Sequence, residues 1–160
     1  MGVIVNLIEE IKSRFTTAIG TGGDLLGVKR IRIGSREEAR KQNDFPIINI
    51  TLTGATNNAE AMQRQFTDTL NIEITLLISK KDSNANTLYT TTDSTGSIYV
   101  LEKMLNVLNK NTSGTIDLQF ASNTIELREI DYSIEEANKD MIEIIVNLKI
   151  KTAYYTIGGM

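Results

Sequence analysis

Hydrophobic residues recur every three or four positions in two segments of the chain, a spacing typical of amphipathic helices. The first segment runs from Val3 to Ile19, and the glycines that follow it tolerate the backbone conformation of a helix C-terminus. The second segment begins at about Ser97, and we expect it to bury one stripe of residues: Ile98, Leu101, Leu105 and Leu108. The sequence therefore predicts two long helices that each pack one face against a core.

Strict alternation of apolar and polar residues marks the other regular segments, and it predicts β-strands. Strands are expected at residues 28–33, 46–53, 66–78, 116–120, 125–130 and 142–151, with polar loops at 54–65 and 82–97. Ser35 followed by Glu38 fits a capping box and predicts a short helical turn before Asp44. This order of elements predicts an α+β fold, a mainly antiparallel or mixed β-sheet with two α-helices packed on one face, in a single domain spanning residues 1–160.

The composition narrows the chemistry that is available to this domain. The chain has 160 residues, of which 41% are hydrophobic, so it is long enough for one core. It contains no histidine and no cysteine, which excludes Ser-His-Asp and Cys-His nucleophilic sites and zinc sites built on imidazole or thiolate ligands. We expect no enzyme, no catalytic residues, no cofactor and no metal, although the composition leaves a metal site of carboxylates alone open.

Two short motifs could suggest a ligand, and each has a structural explanation. The glycine-rich residues 20–24 follow a predicted helix, whereas a phosphate-binding loop follows a strand and precedes a helix. The segment that begins at Asp82 resembles the start of a calcium loop, but Thr87 stands where glycine is needed and Asp93 where glutamate is needed. A helix end and a solvated loop are therefore the favoured interpretations.

Charge is segregated along the chain, whose formal net charge is −3. Residues 29–41 are mainly basic and residues 126–143 mainly acidic. If they lie on different sides of the domain, the positive edge of one copy can meet the negative edge of the next and close a ring. The candidate subunit-interface residues are Lys29, Arg30, Arg32, Arg36, Arg40, Glu126, Glu129, Asp131, Glu135 and Glu136. The alternative is that both runs are solvated surfaces whose ion pairs contribute little energy.

This hypothesis predicts the effect of charge reversal. We expect Arg32→Glu or Arg36→Glu to impair ring formation while the monomer stays folded. The acidic balance of the chain argues against binding to nucleic acid along a broad surface, because such binding needs a basic face.

One pair of neighbouring segments resembles a known protein family. The first reads Asp-Phe-Pro-Ile-Ile-Asn-Ile-Thr-Leu-Thr-Gly-Ala from Asp44, and the second reads Thr-Leu-Asn-Ile-Glu-Ile from Thr69. In the tail-terminator family of long-tailed bacteriophages, of the lambda-like type, a Phe-Pro enters a strand that ends in Leu-Thr-Gly. The strand that follows it carries alternating apolar and acidic residues. The length and element order of nearly the whole chain are similar to that family.

The resemblance implies a structural virion protein that forms a ring, expected to be a hexamer, at the head-proximal end of the tail tube. Such a ring stops tube polymerisation and gives the head-completion or neck protein a docking surface. Its implied partners are further copies of the chain, the tail tube protein and the neck protein, with no membrane, and DNA passes through the lumen without specific binding. Assembly is expected in the host cytoplasm, Phe45 and Pro46 are expected to serve the fold, and residues 54–65 and 82–97 are candidate docking loops.

Two other classes of function stay open at this point. The first is a different phage head–tail connector or neck protein, which would bind portal or capsid. The second is a small non-enzymatic ligand-binding α+β domain, which a ligand would stabilise against heat.

Overall fold

The computed structural model describes residues 3–20, 25, 28–60, 65–79, 97–108, 125–138 and 140–156. Three helices and five strands lie in these ranges. In chain order they are α1 (Val3–Ile19), β1 (Arg30–Ile33), α2 (Arg36–Arg40), β2 (Ile47–Glu60), β3 (Gln65–Ser79), α3 (Ser97–Leu108), β4 (Ile125–Asn138) and β5 (Met141–Thr156).

The five strands form one mixed sheet in the order β1-β2-β3-β5-β4. β1 pairs with β2 in parallel, and every other neighbouring pair is antiparallel. The predicted α+β class is therefore confirmed. Short β1 and long β4 form the two edges of these five strands, so the basic and the acidic runs of the sequence begin at opposite edges.

One face of the sheet is covered by α1 and α3. Alternate residues of the central strands point to this face, and they pack with Leu7, Ile11 and Phe15 of α1 in one hydrophobic cluster. The strand residues of that cluster are Ile48, Ile50, Leu70, Ile72, Ile74, Leu76, Ile78, Ile144, Val146, Leu148 and Ile150. The prediction of two helices on one face is confirmed, because the period-two pattern of the strands and the helical stripes meet in this core.

The opposite face carries the short helix α2 at one end. Ser35 is the N-cap of α2, and its hydroxyl accepts a hydrogen bond of 3.1 Å from the Glu38 backbone N–H, as the capping box predicts. Ala39 of α2 packs with Leu77, Met141 and the partly buried Phe45 in a second small cluster. The peptide bond between Phe45 and Pro46 is cis.

Helix α3 is rotated relative to the stripe predicted for it. Its buried residues are Ser97, Val100, Met104 and Leu108, and the cluster also takes in Leu101 and Leu105 as partly buried residues. The predicted stripe was wrong at Ile98, which is 41% exposed. The apolar sector of this helix is wide enough to allow either face, and the packing against α1 and the sheet selects the face centred on Met104.

Three strands extend further than the sequence pattern predicted, and one of them is β5, which runs to Thr156 instead of residue 151. The predicted loop at residues 54–65 was wrong over 54–60, because β2 continues to Glu60 in register with β3, and at Gln65, where β3 begins. Backbone pairing with a long neighbour holds Asn and Gly residues in a strand despite their low β-propensity. The strand predicted at 125–130 likewise continues to Asn138 as β4, with β5 beside it along most of its length.

Several predicted features lie outside the described residues. They are the glycine-rich residues 21–24, the loop and calcium-like motif at 82–96, and the strand expected at 116–120.

Candidate subunit interface

The face of the sheet that α2 partly covers is lined by polar side chains. These are Asn49, Thr51, Asn71, Glu73, Thr75, Glu143, Asn147 and Lys149. They share one face because side chains alternate along each strand and the strands pair in register. The half under α2 is buried, whereas the half beyond Glu73 is open.

An ion pair between an arginine and a buried carboxylate attaches α2 to this face. The Arg40 guanidinium donates two hydrogen bonds to the Glu143 carboxylate, from Nε to Oε2 and from Nη2 to Oε1, each 2.7 Å long. The Glu143 side chain is fully buried, while that of Arg40 is 38% exposed. Arg36 Nε lies 3.6 Å from Oε1 of both Glu143 and Glu73. Two cations of α2 therefore compensate the buried charge of one strand carboxylate.

The pKa of Arg40 reflects this arrangement. Hydrogen bonding to Glu143 raises the pKa of Arg40 above its ordinary value, against the lowering effect of partial burial, and the charges of Glu143, Glu37 and Glu73 raise it further. Arg40 therefore stays protonated at every pH at which the protein is folded, and a positively charged guanidinium contacts Glu143.

The structure thus brings together groups from the two charged runs within one chain. Arg36 and Arg40 of the basic run contact Glu143 of the acidic run, and Arg30 lies 3.2 Å from Asp44 and donates a 2.8 Å hydrogen bond to Gln42. The charge of these three candidate residues is compensated inside the monomer. Their role in contacts between subunits stays a prediction, and it now has to compete with these internal pairs.

Lys29 and Arg32 are the basic candidates without an acidic partner in the described ranges. Lys29 is exposed beside the first residue of β1, and Arg32 is half-buried within that strand. The Nη1 of Arg32 is buried without a hydrogen bond, as is Oδ1 of Asn49, the residue that pairs with Arg32 in β2. Arg32 therefore has donor capacity that the described part of the chain does not use.

The acidic candidates lie on β4, at the other edge of the sheet. Glu129, Asp131, Glu135 and Glu136 are exposed, and Glu126 belongs to the same strand, although its side chain lies outside the described set. No ion pair within the described residues involves Glu129, Asp131 or Glu135. The two edges of the described sheet therefore carry charges of opposite sign, basic at β1 and acidic at β4, and Glu129 has Lys149 of β5 across from it.

A cleft of about 340 Å³ opens on the polar face next to β4. Its lining residues are Thr53, Asn71, Glu129, Asp131, Asn147, Leu148 and Lys149. Two carboxylates, two amides and the ammonium group of Lys149 line this open cleft, so it can both accept and donate hydrogen bonds. Its acidic residues belong to β4, and Lys149 lies across from Glu129 on β5.

Two kinds of feature are absent from the described residues. No group of three or more His, Cys, Asp or Glu side chains there is arranged to hold a metal ion. No helix in those ranges is both long enough and apolar enough to cross a membrane.

Sequence reasoning did not identify the internal partners Glu73 and Glu143. A signal for Glu143 was present, because it stands between Ile142 and Ile144 in a segment so apolar that both faces of the strand are expected to be buried. A carboxylate in such a position needs a cation, and the nearest basic residues of α2 are about a hundred positions away in the chain.

Comparison with known proteins does not assign this chain to a family. A scan against protein-family models gives no match, and a search of curated proteins gives none either.

Proposed function

We propose that this chain is a ring-forming structural subunit of the tail-terminator type, which caps the head-proximal end of a phage tail tube. In this proposal the ring is a hexamer that stops tube polymerisation and presents its outer face to a neck protein. DNA passes through the lumen without specific binding, and the subunit performs no catalysis.

The observation that supports this proposal is the placement of charge at the two edges of the sheet. Lys29 and Arg32 are at β1, whereas Glu129, Asp131 and Glu135 are on β4, and these residues lack ion-pair partners within the described part of the chain. Two different edges that complement each other give a head-to-tail contact, which every copy can repeat until a ring closes. The α+β fold and the element order agree with the family resemblance that begins at Asp44.

The test is the length distribution of tubes polymerised from the cognate tail-tube protein, measured by electron microscopy with and without a substoichiometric amount of this protein. We expect growth to stop at tubes that carry an extra ring at one end. The matched variants are Asp131→Lys at the β4 edge, which should lose this effect, and Glu102→Lys on the exposed side of α3, which should keep it. Unchanged tube lengths with wild-type protein would contradict the terminator role and favour a head-side connector that binds portal or capsid.

The cleft beside β4 supports a second candidate, a small ligand-binding domain. Its volume is at the lower end of the range for small-molecule sites, which are of order 300–1,000 Å³, and it offers carboxylate and amide groups. A saturable rise in melting temperature with a small polar cation would support this function, because a ligand that prefers the native state stabilises it.

A further inference from the structure

Matching side chains lie at the two edges of the sheet, in the same cross-strand rows. On the face of α1 and α3, one row runs through Ile33, Ile50, Ile74, Val146 and Tyr132. Its three inner members are fully buried, whereas Ile33 is 43% and Tyr132 is 52% exposed. The same row therefore ends in an exposed apolar side chain at each edge.

A second row ends in opposite charges. It runs through Arg30, Ile47, Leu77, Glu143 and Glu135 on the face of α2. Glu135 is thus directly opposite Glu143, and like charges in this position destabilise a sheet. Arg40 and Arg36 are engaged with Glu143, so Glu135 has no cation of its own within the described residues. A cation supplied from outside β4 would compensate it.

The directions of the strands permit the two edges to pair. β1 runs parallel to β2, and three antiparallel steps lead from β2 to β4, so β1 and β4 run in opposite directions. A second copy placed beside the first in the same orientation therefore brings its β1 antiparallel to β4. This is the geometry in which strands exchange perpendicular backbone hydrogen bonds.

We propose that β1 of one copy pairs antiparallel with β4 of the next copy, in the register that places Ile33 opposite Tyr132. The apolar side chains then cover each other on the helix face. On the other face Arg30 lies opposite Glu135, for which it would exchange its solvent-exposed pair with Asp44. Arg32 lies opposite Ser133, between Asp131 and Glu135. The partner is a second copy of this chain, and the register refines the ring of the proposed function, on which its head-to-tail arrangement rests.

The occupant of the β4 edge follows from complementarity on both faces at once. A nonspecific cationic partner would match the acidic side chains but not Tyr132, and a purely apolar partner would leave Asp131 and Glu135 uncompensated. β1 carries an exposed isoleucine and two arginines at the positions along the strand that this register places beside Tyr132 and the acidic residues. A continued sheet also pairs two edges that have no strand partner among the described residues, and unpaired edges favour aggregation.

Disulfide crosslinking tests this register, and the absence of native cysteine makes it clean. The double variant Ile33→Cys with Tyr132→Cys should form a series of covalent oligomers under mild oxidation, because paired positions lie within the Cα separation of a disulfide, about 4.4–6.8 Å. The matched control is Val5→Cys with Tyr132→Cys, which joins the same tyrosine position to an equally exposed site on α1. The single-cysteine variants reveal symmetric disulfides.

A second pair on the other face keeps the test decisive if the first variant does not fold. Arg32→Cys with Ser133→Cys occupies the adjacent row and should give the same oligomers. Crosslinking of both pairs but not of the control establishes the interface. The proposed interface is refuted if the protein forms oligomers in sedimentation that crosslink at neither pair. It is also refuted if the protein stays monomeric.

The outcome is separable from that of the tube assay, which uses the cysteine-free wild-type chain. Tubes that stop growing while neither pair crosslinks would leave the proposed function standing and refute the register. Crosslinked oligomers with unchanged tube lengths would establish the interface and refute the terminator role.

Discussion

Glu143 is the residue whose role in the structure differs most from the role that the sequence suggested. In the sequence it belongs to an acidic run that invites an interface with another copy. In the structure its side chain is fully buried and accepts two hydrogen bonds from Arg40. A buried carboxylate is costly to desolvate, so its arginine partner decides whether α2 can dock on the sheet.

The two partners of this pair should respond unequally to substitution. Arg40→Met leaves a buried carboxylate with only Arg36 nearby and should lower the free energy of unfolding by about 3 kcal/mol. Glu143→Gln leaves an arginine that can reach water and should cost about 1 kcal/mol. Urea unfolding measures both. Lys41→Met, at the C-cap that follows the same helix, is a control expected to cost less than about 0.5 kcal/mol. A larger loss for Glu143→Gln than for Arg40→Met would contradict this account.

The raised pKa of Arg40 also predicts how the stability responds to pH. A group whose pKa is raised by folding contributes stability that is fully present below its unfolded pKa and is lost only as the pH rises through its folded pKa. For arginine both values lie above the working range. The stability difference between wild type and Arg40→Met should therefore stay constant from about pH 7 to about pH 10 in urea titrations. A difference that shrinks steadily over this interval would show that the contact does not involve a charged arginine.

At the scale of elements, hydrophobic periodicity predicted α1, the start of β2 and the cores of β3 and β5. It failed at 54–60, where backbone pairing and not side-chain burial stabilises the strand. It also failed in β4, because residues 126–143 were interpreted by their charge, and the alternating apolar residues Ile130, Tyr132 and Ile134 were overlooked. The pairing of Arg40 with Glu143 could not be predicted, because their separation in the chain carries no local signal. The edge positions of β1 and β4 follow from topology, which periodicity does not encode.

Ser35 sets the start of α2, and its removal should loosen the helix that carries Arg36 and Arg40. Ser35→Ala removes the acceptor for the Glu38 N–H and should cost about 1 kcal/mol in thermal or urea unfolding. Ser13→Ala, an exposed change inside α1, is the matched control and should be neutral or slightly stabilising. Equal effects of the two substitutions would argue against a capping role.

The observed orientation of α3 can be tested against the buried face expected from the sequence, because the two predict different costs for the same substitutions. Met104 is fully buried, so Met104→Ala should cost about 2–5 kcal/mol, because it leaves a cavity in the core. Ile98 is 41% exposed, and Ile98→Ala should cost less than about 1 kcal/mol. Both losses of stability are measured by equilibrium unfolding. A larger loss for Ile98→Ala than for Met104→Ala would favour the buried stripe predicted from the sequence.

At the scale of the whole molecule, the distribution of charge resolves into two parts. One part is internal and holds α2 against the sheet through Arg36 and Arg40. The other part is external and lies at the two edges, with Lys29 and Arg32 on one side and the acidic side chains of β4 on the other. Only the external part is available to a second subunit without cost to the fold.

This division changes the expectation for charge reversal. Arg36→Glu places a third carboxylate beside Glu73 and Glu143 and should destabilise the monomer by about 2 kcal/mol, so it is unsuitable as a test of assembly. Lys29→Glu changes an exposed edge residue and should leave the unfolding midpoint within about 0.5 kcal/mol of wild type while weakening self-association. Unfolding curves and sedimentation of the same samples check the two effects. If Lys29→Glu associates as the wild type does, Lys29 is not part of the interface.

The pairing of β3 with β5 has a consequence for how the chain reaches its native state. β3 pairs with a strand that follows about 60 to 90 positions later, whereas its pairing with β2 joins neighbours in the sequence. High contact order of this kind slows folding, since the entropy of closing a long loop is lost before the contacts are gained. We therefore expect the β2–β3 hairpin to form early and the docking of β5 to limit the rate. Until β5 docks, β3 lacks its long-range partner, so we expect this interval to be the one in which the newly made chain is most liable to aggregate.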